Sequence, residues 1–171
     1  MTVRVVQKKV CLLGEFAVGK TSLVRRFVEG RFDDRYLTTI GVKISRRSLP
    51  RDGYTLNLLL WDLAGSEEFD GAAASHLLGA TGALIVCDLV RPETLESLVR
   101  YAVRLRAANP DAVVVLAANK ADLLDERRVS DADLAAASAL LRSPYLPTSA
   151  KTGENVERAF ALLADAIEGR L

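Results

Sequence analysis

The stretch GEFAVGKT at residues 14–21 decides the fold, because it matches the pattern GxxxxGK[ST] and separates two different hydrophobic patterns. The apolar run at residues 9–14 ends in glycine and is typical of a buried strand. Residues 20–28 follow with their apolar side chains on one helical face. Backbone N–H groups of a loop placed in this way can surround phosphate oxygens at the start of the helix. The stretch therefore predicts a strand, a phosphate-binding loop and a helix.

Strand and helix patterns alternate through the rest of the chain. Residues 42–49 and 54–61 flank a Pro-Arg-Asp-Gly turn and predict a β-hairpin. Two short, nearly continuous apolar runs predict strands that are buried on both faces. These two runs are residues 83–87 and 112–118. The helix patterns are residues 94–106, 131–142 and 154–167, and a short strand is predicted at residues 145–146.

The alternation predicts one α/β domain over residues 1–171, because no repeat or Pro/Gly/Ser-rich linker divides the chain. We expect a six-stranded, mainly parallel sheet with one antiparallel strand and helices on both faces. In such sheets, ligands bind beyond the carboxyl ends of the strands. The polar loops that follow the strands are therefore the places to look for function.

Composition and charge exclude several classes. Half of the 171 residues are hydrophobic and the formal net charge is +1, so neither disorder nor a basic nucleic-acid surface is indicated. The apolar runs are far shorter than the roughly 18 residues that span a membrane. No secretory signal is present either, and we expect a cytoplasmic protein. Cys11 and Cys87 lie in apolar runs without CxxC spacing, and both are expected to be reduced core residues.

Two later loops indicate which base is bound. In Asn119-Lys120-Ala121-Asp122, a carboxylate can accept from the N1–H and the exocyclic amine of guanine, and adenine lacks that pair of donors. A backbone N–H of the segment SAK at residues 149–151 could meet the guanine carbonyl. In the first loop, Lys20 would reach the terminal phosphates and the Thr21 hydroxyl could bind Mg²⁺.

With two further segments, the chain resembles the Ras-like small GTPases, and most nearly their Rab-like branch. These segments are TTIG at residues 38–41, similar to the first switch, and WDLAG at residues 61–65, similar to the start of the second. The resemblance covers essentially the whole chain. It implies a P-loop small GTPase fold and a molecular switch that binds GTP or GDP with Mg²⁺.

The resemblance also implies roles for matching positions. Thr39 would close over the γ-phosphate and bind Mg²⁺ in the GTP state, Asp62 would hold the metal through water, and the Gly65 N–H would contact the γ-phosphate. The implied metal residues are Thr21, Thr39 and Asp62, and the implied catalytic residues are Lys20, Thr39, Gly65 and Ser66.

Two aromatic residues match family positions at the nucleotide, although either could simply be packing in a loop. Phe32 would lie against the guanine and Tyr36 over the phosphates. The complete set of expected nucleotide-binding residues is Phe16, Ala17, Val18, Gly19, Lys20, Thr21, Ser22, Phe32, Tyr36, Thr39, Gly65, Asn119, Lys120, Asp122, Ser149, Ala150 and Lys151.

Departures from the family pattern predict slow hydrolysis. Ser66 stands where the family usually has a glutamine that orients the attacking water, and its hydroxyl is shorter. Glu67 or Glu68 could substitute, or both could be solvated surface charges. Phe16, at the edge of the phosphate loop, could obstruct an inserted arginine finger, and Arg35 could be a finger in cis or a solvated side chain. We expect a low intrinsic rate and dependence on an activating partner.

The expected partners are an effector that recognises the two switch segments, together with activating and exchange proteins. A roadblock-type regulator is one candidate by resemblance to bacterial small GTPases, and no nucleic acid is expected. Rab-like proteins commonly recognise effectors with three aromatic residues, but this chain has Ile44, Trp61 and Leu77 at those positions. Neighbouring His76 is expected to be packed or exposed and not a metal ligand.

The sequence also suggests a prokaryotic family member without a direct lipid anchor. It ends in EGRL without a cysteine, and Met1-Thr2 does not suit N-myristoylation. Arginine outnumbers lysine by 17 to 6, which is typical of a GC-rich genome.

Two functions remain open at this point. One is a GTP-hydrolysing switch, and the other is a GTP-bound interaction module that hydrolyses negligibly. An ATP-using P-loop kinase is disfavoured by Asp122.

Overall fold

The fold is described from a computed structural model. The structure describes residues 2–28, 37–39, 42–63 and 75–169, with the backbone alone at residues 37–39. The strands are β1 (Arg4–Leu13), β2 (Leu37–Thr39), β3 (Val42–Arg51), β4 (Tyr54–Leu63), β5 (Gly82–Asp88), β6 (Val113–Asn119) and β7 (Tyr145–Pro147). The α-helices of the described residues are α1 (Lys20–Val28), α2 (Pro92–Ala108), α3 (Asp131–Leu141) and α4 (Val156–Ile167).

All the strands among the described residues belong to one sheet, in the order β2-β3-β4-β1-β5-β6-β7. β3 runs antiparallel to both β2 and β4, and every other neighbouring pair is parallel. The predicted mainly parallel sheet with one antiparallel strand is therefore confirmed. The prediction of six strands omitted β2, an edge strand whose three residues are too few to show a hydrophobic period.

β1 begins five residues earlier than predicted. Its first six residues include Arg4, Gln7, Lys8 and Lys9, which interrupt the apolar pattern. The strand is extended there because its backbone pairs with β4 from Arg4 to Leu12, whereas it pairs with β5 only from Val10 onwards. Backbone pairing sets the start of β1, and side-chain hydrophobicity does not reveal it.

Helices cover both faces of the sheet, as predicted. On one face, α1 and α4 enclose a core in which the rings of Phe27 and Phe160 stack with centroids 4.1 Å apart. On the other face, α2 and α3 pack over a second core that includes the fully buried Tyr101. Every residue of β5 is buried between the two layers. The central strands therefore form a rigid base for the loops at their carboxyl ends.

Both cysteines are free and buried in these cores, which confirms the expected packing role of Cys11 and Cys87. Burial raises the pKa of each thiol to about 12. Neither thiol is therefore a nucleophile near neutral pH. Within the described ranges, we find no helix with the length and apolar character needed to span a membrane.

Candidate functional site

The loop between β1 and α1 folds back on itself through residues in unusual backbone conformations. Ala17 has φ +64° and Gly19 has φ +106°, so both lie in the region that side chains disfavour. A Cβ atom on Gly19 would lie 2.2 Å from Nδ2 of Asn119. Only glycine allows this close approach between the first loop and the loop after β6.

Lys20 is buried inside this loop. Its Nζ donates to the carbonyl oxygens of Gly14 and Glu15, at 2.6 and 3.1 Å. Burial lowers the pKa of Lys20 to about 8, while the carboxylates of Asp62 and Glu15 raise it again in part. The loop thus holds a cation in the concavity where a phosphate-binding loop requires one, and this arrangement fits a phosphate ligand.

A hydroxyl and a carboxylate meet beside Lys20. Thr21, in the first turn of α1, donates from Oγ1 to Oδ2 of Asp62 near the end of β4, at 2.5 Å. Burial raises the pKa of Asp62, and the hydrogen bond from Thr21 and the charges of Lys20 and Lys43 oppose that rise. Two adjacent hard oxygen donors fit Mg²⁺.

The third expected metal residue, Thr39, is described by its backbone only. It lies at the end of β2, where it pairs with Val42.

Asn119 ties the phosphate loop to the end of β6. Its Nδ2 donates to the carbonyl of Val18 at 2.9 Å, and its Oδ1 accepts from the Thr148 hydroxyl at 3.1 Å. Asn119 and Thr148 are both buried. The side-chain amide therefore connects the first loop, β6 and the segment after β7 in one fixed arrangement.

The predicted base-selecting residue, Asp122, also has a fixed orientation. Its Oδ1 accepts from the Ser149 hydroxyl at 2.7 Å, and that hydroxyl accepts in turn from the N–H of Thr152 at 3.0 Å. The N–H of Ser149 itself donates to Glu154 at 3.0 Å. Within the segment SAK, a donor to a base carbonyl must therefore come from Ala150 or Lys151.

A cleft of about 410 Å³ lies between the first loop and the loops after β6 and β7. The sequence predicts a nucleotide contact for every lining residue except Leu123, which no motif position indicates. The residues that line the cleft are Gly19, Ser22, Asn119, Lys120, Asp122, Leu123, Ala150 and Lys151.

Lys120 has a partner that the sequence did not suggest. Its backbone is left-handed, with φ +70°, and its Nζ forms an ion pair at 2.8 Å with Asp88, the last residue of β5. No motif marks Asp88, because its link to Lys120 depends on the neighbouring positions of β5 and β6 in the sheet.

Several predicted site residues lie outside the described residues. They are Phe32, Arg35, Tyr36, Gly65, Ser66, Glu67 and Glu68. Their assigned roles stay predictions.

The three positions that correspond to effector-binding aromatics differ in exposure. Leu77 is 1% exposed and belongs to the core beneath α2, whereas Ile44 and Trp61 are half-buried at its margin. His76 is expected to be packed or exposed, and its ring lies 6.2 Å from that of Trp61. Leu77 is therefore a core residue in this fold.

The loop, its buried lysine and the doubly covered parallel sheet define a P-loop nucleotide-binding fold. A model of the Ras family matches residues 9–169. The GTP-binding protein ypt5 of Schizosaccharomyces pombe is 40% identical over 93% of this chain and 77% of its own length. Human Rab-4B is 37% identical over 95% and 77%, and RABD1 of Arabidopsis thaliana is 35% identical over 95% and 80%.

The chain therefore belongs to the Ras family and is a small GTPase with Rab-type relatives. Members of this family bind GTP and GDP with Mg²⁺ and act with effectors and regulators.

Proposed function

We propose that the cleft binds GTP and GDP, and that the protein is a molecular switch that hydrolyses GTP slowly without a partner. The observation that carries this proposal is the Asp122 carboxylate, which Ser149 orients in a cleft that opens onto the phosphate loop. Guanine offers two adjacent donors to a carboxylate, whereas adenine would place an acceptor nitrogen against it. We therefore assign guanine selection to Asp122.

The phosphate end of the cleft supplies positive charge and oxygen ligands. We propose that the Lys20 ammonium leaves the carbonyls of Gly14 and Glu15 to bind the terminal phosphates. Thr21 and Asp62 would hold Mg²⁺, the hydroxyl directly and the carboxylate through water, with Thr39 added in the GTP state. When bound there, the metal would neutralise charge on the phosphate oxygens.

We propose slow hydrolysis because of two residues that depart from the family pattern. Ser66 would be too short to orient the attacking water from the position after Gly65. The Phe16 side chain is 76% exposed at the rim of the phosphate loop, and its bulk would restrict the approach of an arginine from an activating protein. A GTP-bound module with negligible hydrolysis is the second candidate, and the same exposed ring favours it.

An Asp122→Asn variant tests the assignment of the base. An amide can donate to the carbonyl that xanthine has in place of the guanine amine, so we expect preference to move from GDP towards xanthosine diphosphate. The control is Asp125→Asn, which removes a carboxylate at an exposed neighbouring position. Competition against fluorescent GDP measures both variants. An Asp122→Asn variant that still prefers GDP as strongly as the unaltered protein would refute the assignment.

Single-turnover hydrolysis of GTP tests the proposed rate. We expect a rate constant below about 10⁻⁴ per second, the order of intrinsic rates in glutamine-bearing relatives. Ser66→Gln should raise this rate, while the control Ser66→Ala should leave it unchanged. A rate in the unaltered protein equal to or above that order would contradict the proposal of slow hydrolysis. Hydrolysis that is undetectable in every variant would favour the second candidate.

The expected partners and setting remain proposals as well. We propose an effector that recognises the two switch segments, and activating and exchange proteins, with a roadblock-type regulator as one candidate. Cytoplasmic location and prokaryotic origin stay predictions from the sequence.

A further inference from the structure

A buried carboxylate at the end of β5 binds two cations from different loops. Asp88 is 1% exposed, and its Oδ2 accepts from Lys120 Nζ at 2.8 Å and from Arg91 Nε at 3.0 Å. Its Oδ1 accepts from the N–H of Val90 at 2.9 Å. Burial by itself would raise the pKa of Asp88, but these hydrogen bonds lower it below its usual value. Asp88 is therefore an ionised anchor for Lys120 and Arg91.

Arg91 also reaches the phosphate loop. Its Nη2 donates to the carbonyl oxygen of Phe16 at 2.8 Å, while its Nε is held by Asp88. One planar guanidinium thus spans two acceptors that are far apart in sequence, which a lysine ammonium on a single flexible stem would not reproduce. Pro92, which begins α2, follows Arg91 directly.

A second contact attaches the same part of the loop to α2. The Glu15 carboxylate accepts from the Ser97 hydroxyl at 2.6 Å and forms an ion pair with Arg100. Glu15 is thus held by α2 and Phe16 by Arg91, which directly precedes α2, while the Val18 carbonyl is held by Asn119 from β6. Side-chain contacts therefore hold the phosphate loop in place both at residues 15 and 16 and at Val18.

We propose that Arg91 is a positioning residue that slows nucleotide release. Through its hydrogen bond to the Phe16 carbonyl, Arg91 would keep the backbone N–H groups of the loop in the arrangement that surrounds the phosphates. Asp88, which anchors Arg91, would also hold Lys120 beside the base. This inference rests on the proposed binding of guanine nucleotides. Preorganised donors bind more tightly because less ordering is needed when the ligand arrives.

The test compares Arg91→Ala and Arg91→Lys with the control Arg4→Ala, which removes an exposed arginine at the opposite end of the sheet. Release of fluorescent GDP is followed after an excess of unlabelled GDP is added, and the affinity for fluorescent GMP is measured by titration. Loss of the charge-assisted hydrogen bond to the Phe16 carbonyl predicts GDP release about tenfold faster in Arg91→Ala. Arg4→Ala should release GDP at the unaltered rate.

The comparison of GDP with GMP separates positioning from general destabilisation. GMP has fewer phosphate oxygens for the loop to hold, so Arg91→Ala should weaken GMP binding much less than GDP binding. Arg91→Lys keeps a charge near Asp88 but cannot span to Phe16 as well, so it should release GDP quickly and bind GMP normally. Because Arg91→Lys preserves this charge, it tests the role of the Phe16 contact even if Arg91→Ala folds poorly.

Three results would overturn the proposal. They are unchanged GDP release in Arg91→Ala, equal losses for GDP and GMP, and normal GDP release in Arg91→Lys. Failure of the unaltered protein to bind either nucleotide would instead overturn the proposed function itself.

Discussion

We predict that Gly19→Ala breaks the connection between the phosphate loop and Asn119. The added Cβ would lie 2.2 Å from the Asn119 Nδ2 that donates to the Val18 carbonyl. Carbon and nitrogen atoms in ordinary contact are about 3.4 Å apart or more, so the amide would have to move by roughly 1 Å. Asn119 is buried among the strand ends, and its amide has little room to move without losing this hydrogen bond.

The expected cost has two parts. A side chain at φ +106° costs about 1–2 kcal/mol. Loss of a buried hydrogen bond, with its groups left unsatisfied, costs a further 1–3 kcal/mol or so. The matched control is Gly53→Ala in the β3–β4 turn, where φ is +82° but nothing lies within 4 Å of the added Cβ. The control should therefore show the backbone cost alone.

Urea unfolding measures both variants, and titration with fluorescent GDP measures their binding. We expect Gly19→Ala to lower the free energy of unfolding by about 1–3 kcal/mol more than Gly53→Ala does. GDP binding should weaken by about tenfold or more in Gly19→Ala only, since a tenfold change corresponds to roughly 1.4 kcal/mol. Equal destabilisation of the two variants, with GDP affinity retained in both, would refute this reasoning.

Three further predictions concern the supports of the site. Phe27→Ala removes the fully buried ring that stacks on Phe160, and urea unfolding should show a loss of about 3–5 kcal/mol; a loss below about 1 kcal/mol would contradict the packing described. The pKa of Asp88 is lower in the folded protein than in the unfolded chain, where it is about 4. The ionised carboxylate therefore stabilises the fold above about pH 4, and this stabilisation is lost as the pH falls further. Asp88→Asn should thus lower the free energy of unfolding by about 1–3 kcal/mol at pH 7 and by less at pH 3, and a constant difference would argue against an ionised anchor. Ser130→Ala removes the capping box of α3 and should cost about 1 kcal/mol in the same assay, where an unchanged midpoint would speak against the cap.

Sequence patterns predicted the parts of the site that depend on local spacing. The loop at residues 14–21, Asn119 and Asp122 could be identified because each lies at or just after the end of an apolar run that predicts a strand. The parallel sheet then brings these loops to one edge, where the structure places Asn119 and Asp122 in the same cleft.

The contacts that the sequence did not predict join residues that lie far apart in the chain and meet only in the folded protein. Arg91 and Phe16 are 75 residues apart along the chain, and neither belongs to a motif that implies their hydrogen bond. The early start of β1 was hidden because backbone pairing with β4, and not hydrophobicity, extends that strand through charged residues. Leu77 matched a family surface position, yet the packing beneath α2 buries it. Sequence patterns identify candidate binding groups more readily than the contacts that hold them in place.

The nucleotide that the protein carries tests the central claim most directly. The full chain is purified without added nucleotide and denatured, and the released nucleotide is identified by ion-exchange chromatography and quantified against protein. We predict a guanine nucleotide in near-stoichiometric amount. GTP would indicate a reaction nearly silent without a partner, whereas GDP would favour a working hydrolase once the single-turnover assay has distinguished hydrolysis from uptake of cellular GDP. An adenine nucleotide in its place would contradict the assignment of Asp122 and of the cleft.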